Sequence, residues 1–286
     1  MASILDRYGI KEVADVTFYE ISSTGERGKP VLYLDTLKVS TIEQTAETAD
    51  ARGGKGNPKL VSWDYGKEIN VTIEDALFSS KSMAIMFGNG SVVNKNSADV
   101  TRTTVVRFND AGKLPEYFVA DIYDNATKGS KRVKVRMTGV AAGSDEVLFA
   151  NSGITLGTLT AEDGAVIDDG FEAGEWTLGN YADYKGQKAF LTYTVKAATK
   201  TITVSGDSFP GTYYIVGDTY ARSDVDGSDQ FFQFIIPKAK VTSENTITLE
   251  AEGDPSVFSM NLTVLRPENG EMMQLVQYDL VGSAAG

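Results

Sequence analysis

The sequence has 286 residues, 42% of them hydrophobic and 23% charged, which is typical of globular proteins and enough for one large or two modest domains. It contains no cysteine and no histidine. The lack of cysteine excludes disulfides and thiolate chemistry, and the lack of histidine removes the commonest general base and transition-metal ligand. Most enzyme classes are thereby removed, and we expect no enzyme, no cofactor and no metal site, although catalysis by a pair of carboxylates needs neither residue.

The formal net charge of −12 is unevenly distributed along the chain. Residues 1–140 carry 19 Lys and Arg against 18 Asp and Glu, whereas residues 141–286 carry 8 against 21. An acidic surface repels phosphate, so this charge argues against a protein that grips DNA by its backbone. The same sign suits a surface past which DNA must slide, although it also simply keeps proteins soluble.

Alternation of apolar and polar residues with period two recurs through the N-terminal half and predicts a mainly β, antiparallel architecture. The predicted strands are Val13–Ile21, Val31–Ser40, Leu60–Asp64, Glu68–Asp75, Thr103–Phe108, Tyr117–Tyr123 and Arg132–Val140. Two of them have a well-defined polar side. The first such side contains carboxylates, an amide and a hydroxyl, at Glu68, Asn70, Thr72 and Glu74. The second is basic, with Arg132, Lys134 and Arg136, and needs an acidic partner or open water.

One helix is predicted at Ser80–Phe87, capped by Ser79 or Ser80 and ended by Gly88 in the left-handed conformation. Between Thr41 and Pro58 the alternation stops, and dense glycines predict a long mobile loop. The glycine-rich part of this loop comprises Arg52, Gly53, Gly54, Lys55, Gly56, Asn57 and Pro58. It does not match a phosphate-binding P-loop, so ordering of the loop on assembly is the better interpretation.

From about Ala141 to Ser228 the composition changes, because Gly and Asp become frequent and the predicted strands shorten. We interpret residues 141–228 as a β-rich region inserted in, or appended to, a core domain of residues 1–140 and 229–286. The short predicted strands are Ala189–Lys196, Thr199–Val204 and Thr212–Val216. An acidic turn at Asp224, Asp226, Gly227 and Asp229 lacks the spacing of a calcium-binding EF-hand, so we interpret it as an ordinary Asp-rich turn.

The cleanest alternation is a predicted hairpin near the C-terminus, formed by Thr246–Glu252 and Phe258–Val264. One of its faces is apolar and the other carries small polar groups and carboxylates, so the second face is suited to contact with water. Two functions fit this pattern. One is a structural, self-assembling protein whose sheet closes only in an oligomer, with the polar face lining a channel. The other is a carbohydrate-binding or carbohydrate-processing β-protein that uses carboxylate pairs and exposed aromatic residues such as Trp63, Trp176, Tyr213 and Tyr214.

Four runs of residues resemble the tail tube (major tail) proteins of tailed bacteriophages: Ala51–Glu68, Val71–Phe78, Gln230–Lys240 and Glu252–Ser256. The resemblance covers about Val13–Gly139 and Gln230–Leu280 and is weak between Ala141 and Ser228. It implies a tail-tube-type β-sandwich or barrel with one flanking short α-helix and two long hairpins. It also implies that six subunits form a ring and that rings stack into a tube through which the genome passes.

The resemblance further implies roles for individual segments. One hairpin would come from the strands around Thr36–Ile42 and Leu60–Asp75, and the second from Phe231–Val241, Thr246–Glu252 or Phe258–Leu265. Candidate lumen-lining residues are Glu68, Asn70, Thr72, Glu74, Thr248 and Glu250. Residues Arg52–Pro58 would lie between stacked rings.

The basic side of the Arg132–Thr138 strand would face a sheath or a neighbouring subunit, which favours a contractile tail, although non-contractile tails use the same fold. The expected partners are further copies of the chain and the tail sheath, tape measure, baseplate and tail terminator proteins. DNA would pass without specific binding. We expect synthesis in the host cytoplasm, no membrane segment and a final location in the virion tail.

Overall fold

The computed structural model describes residues 7–10, 12–88, 90–124, 129–169, 176, 181–225, 227–243 and 257–278. The chain is mainly β, with 61% strand and 7% helix, which confirms the predicted fold class. No sheet within these described residues closes into a barrel. By contact, the chain divides into two compact units, one comprising Met1–Val92 with Thr201–Gly286 and the other Val93–Lys200.

The strands of the first unit form one nine-stranded sheet with the order β3-β2-β13-β14-β15-β5-β4, in which β1 pairs with β13 and β16 with β14. Their bounds are β1 Tyr8–Ile10, β2 Asp15–Ile21, β3 Arg27–Leu34, β4 Leu37–Arg52, β5 Lys59–Asp75, β13 Thr212–Ser223, β14 Asp229–Val241, β15 Phe258–Val264 and β16 Gln274–Tyr278. Helix α1, Ser80–Phe87, follows β5. Two long antiparallel hairpins, β4–β5 and β13–β14, therefore belong to the same sheet.

One face of this sheet and helix α1 enclose the core of the unit. The alternation of Glu68–Asp75 in β5 and of β15 predicts this correctly, because every second side chain of these segments is buried. The fully buried side chains include Phe18, Ile73, Ile85, Ile215, Ile236 and Leu262. Burial of apolar side chains of this size contributes about 1.5–3 kcal/mol each to folding, so this layer is the main source of the unit's stability.

Helix α1 begins as predicted but ends differently. The side chain of Ser79 accepts a hydrogen bond from the backbone N–H of Ser82 at 3.0 Å, and the Ser82 hydroxyl accepts one from the Ser79 N–H at 2.9 Å. This reciprocal capping box satisfies two backbone donors at the helix start. The left-handed Gly88 was a wrong prediction, since Gly88 has φ −157° and an extended backbone while its N–H bonds to the carbonyl of Ala84.

The long loop predicted between Thr41 and Pro58 is also wrong over most of its length. Strand β4 continues to Arg52, and only Gly53–Pro58 form a turn, closed by hydrogen bonds from Gly53 N to Pro58 O at 3.2 Å and from Asn57 N to Gly54 O at 3.1 Å. The segment is polar on both faces because it is exposed, so its sequence carries no burial pattern. Cross-strand pairing with β5 makes it a strand in spite of that.

The second unit contains two smaller sheets, of order β11-β10-β12-β6 and β7-β8-β9, with β9 parallel to β8. Their bounds are β6 Val93–Arg107, β7 Tyr117–Asp124, β8 Gly129–Arg136, β9 Glu146–Leu148, β10 Ile154–Ala161, β11 Val166–Asp169 and β12 Lys188–Thr201. Two short helical turns, α2 at Phe149–Ser152 and a 3₁₀ turn at Ala182–Tyr184, complete it. Its own core includes Phe108, Leu159, Trp176 and Tyr193.

The boundaries of the compact units differ from the boundaries expected at residues 140 and 229. Strands β6–β8 were expected in the core domain but lie in the second unit, and β13 was expected in the added region but lies in the nine-stranded sheet. Predicted strand Thr199–Val204 is not found either, because β12 runs only to Thr201. The assignment of the tail-tube module itself to residues 1–140 and 229–286 stays a prediction.

The contact between Gly217 of β13 and Phe234 of β14 gives a test of this packing. A Cβ atom at position 217 would overlap the ring of Phe234, which lies in the core of the unit. We expect Gly217→Ala to lower the free energy of unfolding by about 1–3 kcal/mol through overpacking. Gly206→Ala is the matched control, because a Cβ there meets nothing within 4 Å. Equal urea-unfolding curves for the two variants would contradict the observed packing.

Candidate functional site

Polar side chains from three adjacent strands share the face of the first unit's sheet that is turned away from the core. Strand β5 pairs with β4 on one edge and with β15 on the other, so Thr72 lies opposite both Thr41 and Asn261. The Thr72 hydroxyl donates to the Asn261 amide oxygen at 3.0 Å, and the Thr263 hydroxyl donates to the Asn70 amide oxygen at 3.1 Å. The polar face is therefore held together by its own hydrogen bonds.

This polar face contains four of the predicted lumen residues. The structure brings Glu68, Asn70, Thr72 and Glu74 together with β4 residues Thr41, Glu43 and Thr45 and β15 residues Ser259, Asn261 and Thr263. The side chain of Glu68 is exposed, and those of Asn70, Thr72 and Glu74 are half-buried. The other two predicted lumen residues, Thr248 and Glu250, lie outside the described residues. A role of these side chains in lining a lumen stays a prediction.

The outer part of the β4–β5 hairpin forms an arm, which we define as residues 43–68. Strand β15 pairs with β5 only from Asp75 back to Asn70, so in the described part of the chain the arm is two-stranded. At its tip the Asp50 carboxylate binds Lys59 at 2.7 Å and Arg52 at 3.2 Å, and it accepts a hydrogen bond from Ser62 at 2.8 Å. The Lys59 and Ser62 hydrogen bonds lower the pKa of Asp50. These contacts position the predicted inter-ring segment Arg52–Pro58.

A β-bulge at Gly66 decides which way the aromatic residues of the arm point. Thr45 lies opposite Glu68, but the next paired residue, Glu47, lies opposite Tyr65, so β5 contains one extra residue there. Gly66 has φ +61°, which is the left-handed region that glycine adopts without strain. Because the extra residue reverses the alternation, Trp63 and Tyr65 lie on the polar face rather than on the face that carries the core residues.

Sequence reasoning missed this switch for a simple reason. Val61, Trp63 and Tyr65 have the same odd-numbered spacing as the buried residues Ile69 and Ile73, so strict alternation assigns them all to one face. The structure leaves Trp63 57% and Tyr65 53% exposed. The Tyr65 hydroxyl donates to Glu47, which raises the pKa of Tyr65 and confirms that the two side chains share a face. An isolated glycine within a strand is the one signal of such a bulge in the sequence.

The β13–β14 hairpin is a second long hairpin, and Thr246–Glu252, one of the other segments suggested for such a hairpin, lies outside the described residues. Phe231–Val241 lies within β14, but its partner is β13, which the sequence suggested only as a short strand at Thr212–Val216. Next to the connecting turn, Arg222 binds both carboxylate oxygens of Asp229, at 2.6 and 2.7 Å. The acidic turn is thus neutralised by an arginine at one of its residues, while Asp226 lies outside the described residues. The described residues contain no cluster of three or more potential metal ligands.

The basic strand β8 finds its acidic partners within the second unit. Arg136 binds Glu146 of β9 at 3.0 and 3.1 Å and Glu116 at 2.9 Å, and these side-chain contacts leave Glu146 only 8% exposed. The acidic partner of Arg132 is Asp121, at 3.2 Å, and that of Lys134 is Asp145, also at 3.2 Å. The expectation that these residues face a sheath or a neighbour stays a prediction. Arg132, 75% exposed, has the most side-chain surface available for such a contact.

The aromatic residues suggested for carbohydrate binding do not form a common surface. Trp176 is fully buried and its indole N–H donates to the carbonyl of Pro115 at 2.5 Å. Tyr213 is 9% exposed and belongs to the core, and Tyr214 packs edge-on against Tyr19. Of the four residues, Trp63 is the one that is well exposed, and it lies on the arm.

The chain that forms the two long hairpins and the polar face matches a known protein family. Residues 8–168 and 140–277 match the model of the YomU/Tube protein family, so the two matches together span most of the chain. The chain belongs to the YomU/Tube protein family. This confirms the resemblance drawn from the sequence and indicates a structural protein of a phage tail tube, located in the virion tail. No curated protein matches the chain. Among the described residues, no helix is long and apolar enough to cross a membrane.

The Arg136–Glu146 pair predicts how the second unit responds to acid. The hydrogen bonds from Arg136, followed by the one from the Ala142 N–H, lower the pKa of Glu146 from 4.5 to about 2. A carboxyl whose pKa is lower in the folded state stabilises the fold above its unfolded pKa, and this contribution is lost as the pH falls through the folded value.

We therefore expect Glu146→Gln to be less stable than the wild type at pH 7 and to lose less additional stability between pH 4.5 and 2. The control is Glu162→Gln, in the exposed turn between β10 and β11. Thermal unfolding at several pH values is the measurement. If the two variants have the same pH dependence, β9 is not held by this ion pair.

Proposed function

We propose that this protein is a tail tube subunit, that six copies form a ring, and that stacked rings form a channel with the polar face turned to its lumen. The observation that carries the proposal is the hydrogen-bonded polar face of β4, β5 and β15 on a sheet whose other face is a closed core. Membership of the YomU/Tube family and the two long hairpins of one sheet support it.

The chemistry of the polar face suits the passage of DNA without binding. Carboxylates at Glu43, Glu68 and Glu74 repel the phosphates of a duplex, and their hydration keeps a layer of water between protein and DNA. The hydroxyls of Thr72 and Thr263 already donate to amide oxygens of neighbouring strands, so they offer few free donors to a phosphate. A basic residue, Lys240 of β14, lies directly opposite Thr263 at the border of the acidic region.

The arm is proposed to contact further copies of the chain, with Arg52–Pro58 between stacked rings. A two-stranded ribbon is only marginally stable in water. This arm also exposes large apolar side chains to solvent, which favours contact with another subunit. The exposed apolar residues of the arm are Leu60, Val61, Trp63 and Tyr65, from 47% to 64% exposed. Burying them against a neighbouring subunit would stabilise both the arm and the assembly.

The other proposed partners are tail proteins that meet a tube at its surface, inside it or at its ends. These are the sheath, tape measure, baseplate and tail terminator proteins. A contractile tail is proposed from the exposed basic residue Arg132 in the second unit, which would face an acidic sheath surface. Genome passage into the host is the proposed task, and no catalysis is assigned to the chain.

Reversal of one lumen charge tests the proposed channel. We expect tubes of the Glu68→Lys variant to assemble but to retain short duplex DNA at low salt and release it at high salt, because added cations bind phosphates by releasing counterions. Phage carrying this variant should eject the genome more slowly. Glu162→Lys, with the same change of charge on the β10–β11 turn, should behave as the wild type. Ejection at the wild-type rate by both variants would remove Glu68 from the lumen.

The two tryptophans allow the arm contact to be followed directly. Trp176 is buried within the second unit, so a change of emission during assembly would report Trp63. We expect the emission to shift to shorter wavelength as rings stack, and Trp63→Ser to reduce the yield of tubes without changing the free energy of unfolding. Tyr123→Ser, at a residue 51% exposed in the second unit, is the control. Unchanged emission in fully formed tubes would show that the arm tip stays in water.

A further inference from the structure

Strand β16 covers one edge of the β13–β14 hairpin but is weakly held there. It pairs with β14 over five residues, from Tyr278 opposite Phe231 to Gln274 opposite Ile235. Three of its five side chains are exposed and two are half-buried, and Leu275 is 58% exposed. The side-chain contacts that hold it are a stack of Tyr278 on Phe231, with ring centroids 5.4 Å apart, and a hydrogen bond from Gln277 to Gln230.

The chain is firmly anchored just before this strand. Met272 and Met273 pack against the core of the first unit, and Gln274 begins β16 directly after them. Release of β16 would therefore break the short ladder to β14 without removing a buried side chain from the core. A strand of this kind can leave an edge at small cost, because apolar burial contributes most of the stability of a sheet and β16 has little of it.

Strands β15 and β16 pair with the same edge of β14, one after the other. On the same side of β14, β15 pairs with Ala239–Val241, and β16 pairs with Phe231–Ile235 nearer the hairpin turn. An uncovered β-strand edge is a template for another chain, and proteins commonly protect such edges with a short strand. Strand β16 thus protects the edge of β14 in the β13–β14 hairpin.

The same sheet also contains an edge that is open among the described residues, on strand β4. Strand β4 is the terminal strand of the sheet, and on its outer side no described residue pairs with it over its 16 residues. It contains no proline, but its charged residues and the bulges in its pairing with β5 limit indiscriminate pairing with other chains. Among the described residues, one copy of the chain therefore offers a strand whose outer edge is open, and another copy offers an edge that is only lightly covered.

We propose that the β14 edge at Phe231–Ile235 is a docking site for strand β4 of a second copy, and that β16 occupies this site until the two copies meet. Backbone hydrogen bonds of the incoming strand replace those of β16, so the exchange conserves pairing while β4 gains a partner on the edge that no described residue occupies. The proposal rests on the proposed function, because it specifies which edges join when copies of the chain form a ring.

A reversible crosslink tests this exchange, since the chain has no cysteine of its own. In the variant Gln233→Cys with Val276→Cys, the two thiols lie directly opposite each other on β14 and β16, within reach of a disulfide. The matched control, Asp218→Cys with Gln233→Cys, ties β14 to its permanent hairpin partner β13 instead. Tube formation by the full-length protein, with initiating tail components added, is followed by light scattering and electron microscopy.

We expect the oxidised β14–β16 variant to form no tubes and to recover wild-type assembly when a reductant is added. The oxidised control should assemble like the wild type. Normal assembly of the oxidised β14–β16 variant would overturn the proposal, because β16 would then stay on β14 in the tube. If the wild type itself forms no rings or tubes, the proposed function fails instead, so the two failures are distinguishable.

A second variant tests the proposal if the disulfide does not form. In Leu275→Pro with Val276→Pro, one of the two lost N–H groups must point to β14, because successive N–H groups of a strand point to opposite edges. We expect its assembly to begin after a lag several-fold shorter than that of the control, Leu275→Ala with Val276→Ala. A lag as long as or longer than that of the control would show that β16 supports assembly rather than delaying it.

Discussion

The extent of pairing along β5 governs the surfaces that we assign to assembly. From Asn70 to Asp75 this strand has a partner on both edges and buries alternate side chains in the core. Beyond Ile69, toward the tip, its described partner is β4 alone and its side chains are exposed. A ribbon of two strands has too little buried surface to be stable by itself. One strand therefore joins a stable sheet to an arm whose exposed apolar residues favour contact with another molecule.

The proposed tube requires different properties of the polar face and of the proposed docking edges on β4 and β14, although both belong to the same sheet. In the proposed tube the polar face must remain hydrated, and on it the hydroxyls of Thr72 and Thr263 already donate to the amide oxygens of Asn261 and Asn70. The edges must form new backbone hydrogen bonds, so their side chains matter less than their accessibility. Separation of the two requirements, one on a face and the other on an edge, would allow a subunit to bind its own copies while the face proposed to line the channel does not bind DNA.

Sequence reasoning succeeded where a segment is buried on one side. The alternation of Phe258–Val264 and Glu68–Asp75, the bounds of helix α1 and the Ser79 cap are found as predicted, because burial and capping leave a local pattern. It failed where both faces of a strand are exposed to solvent and where the length of a strand is set by its pairing with other strands. Thr41–Arg52 was predicted as a loop because it is polar on both faces, and β13 was predicted too short, at Thr212–Val216, although it pairs along its length with the neighbouring β14 and also with the distant β2.

For the candidate site, too, features with a local sequence pattern could be predicted and features set by strand pairing could not. The polar face could be predicted from the alternation of β5 and β15, whereas the position of Trp63 on that face depends on one bulge at Gly66. The basic residues of β8 were recognised as needing acidic partners, but Glu116, Asp121, Asp145 and Glu146 could not be paired with them before the fold was known. Ion pairs between separate segments are set by register, which a single sequence does not contain.

The proposed channel can be seen in a reconstruction of the intact phage tail by electron cryomicroscopy, at a resolution that separates β-strands. We expect a tube of stacked six-membered rings in which the face carrying Glu43, Glu68 and Thr72 lines the lumen. A tube in which that face points outward, or a particle in which this protein forms no tube, would contradict it.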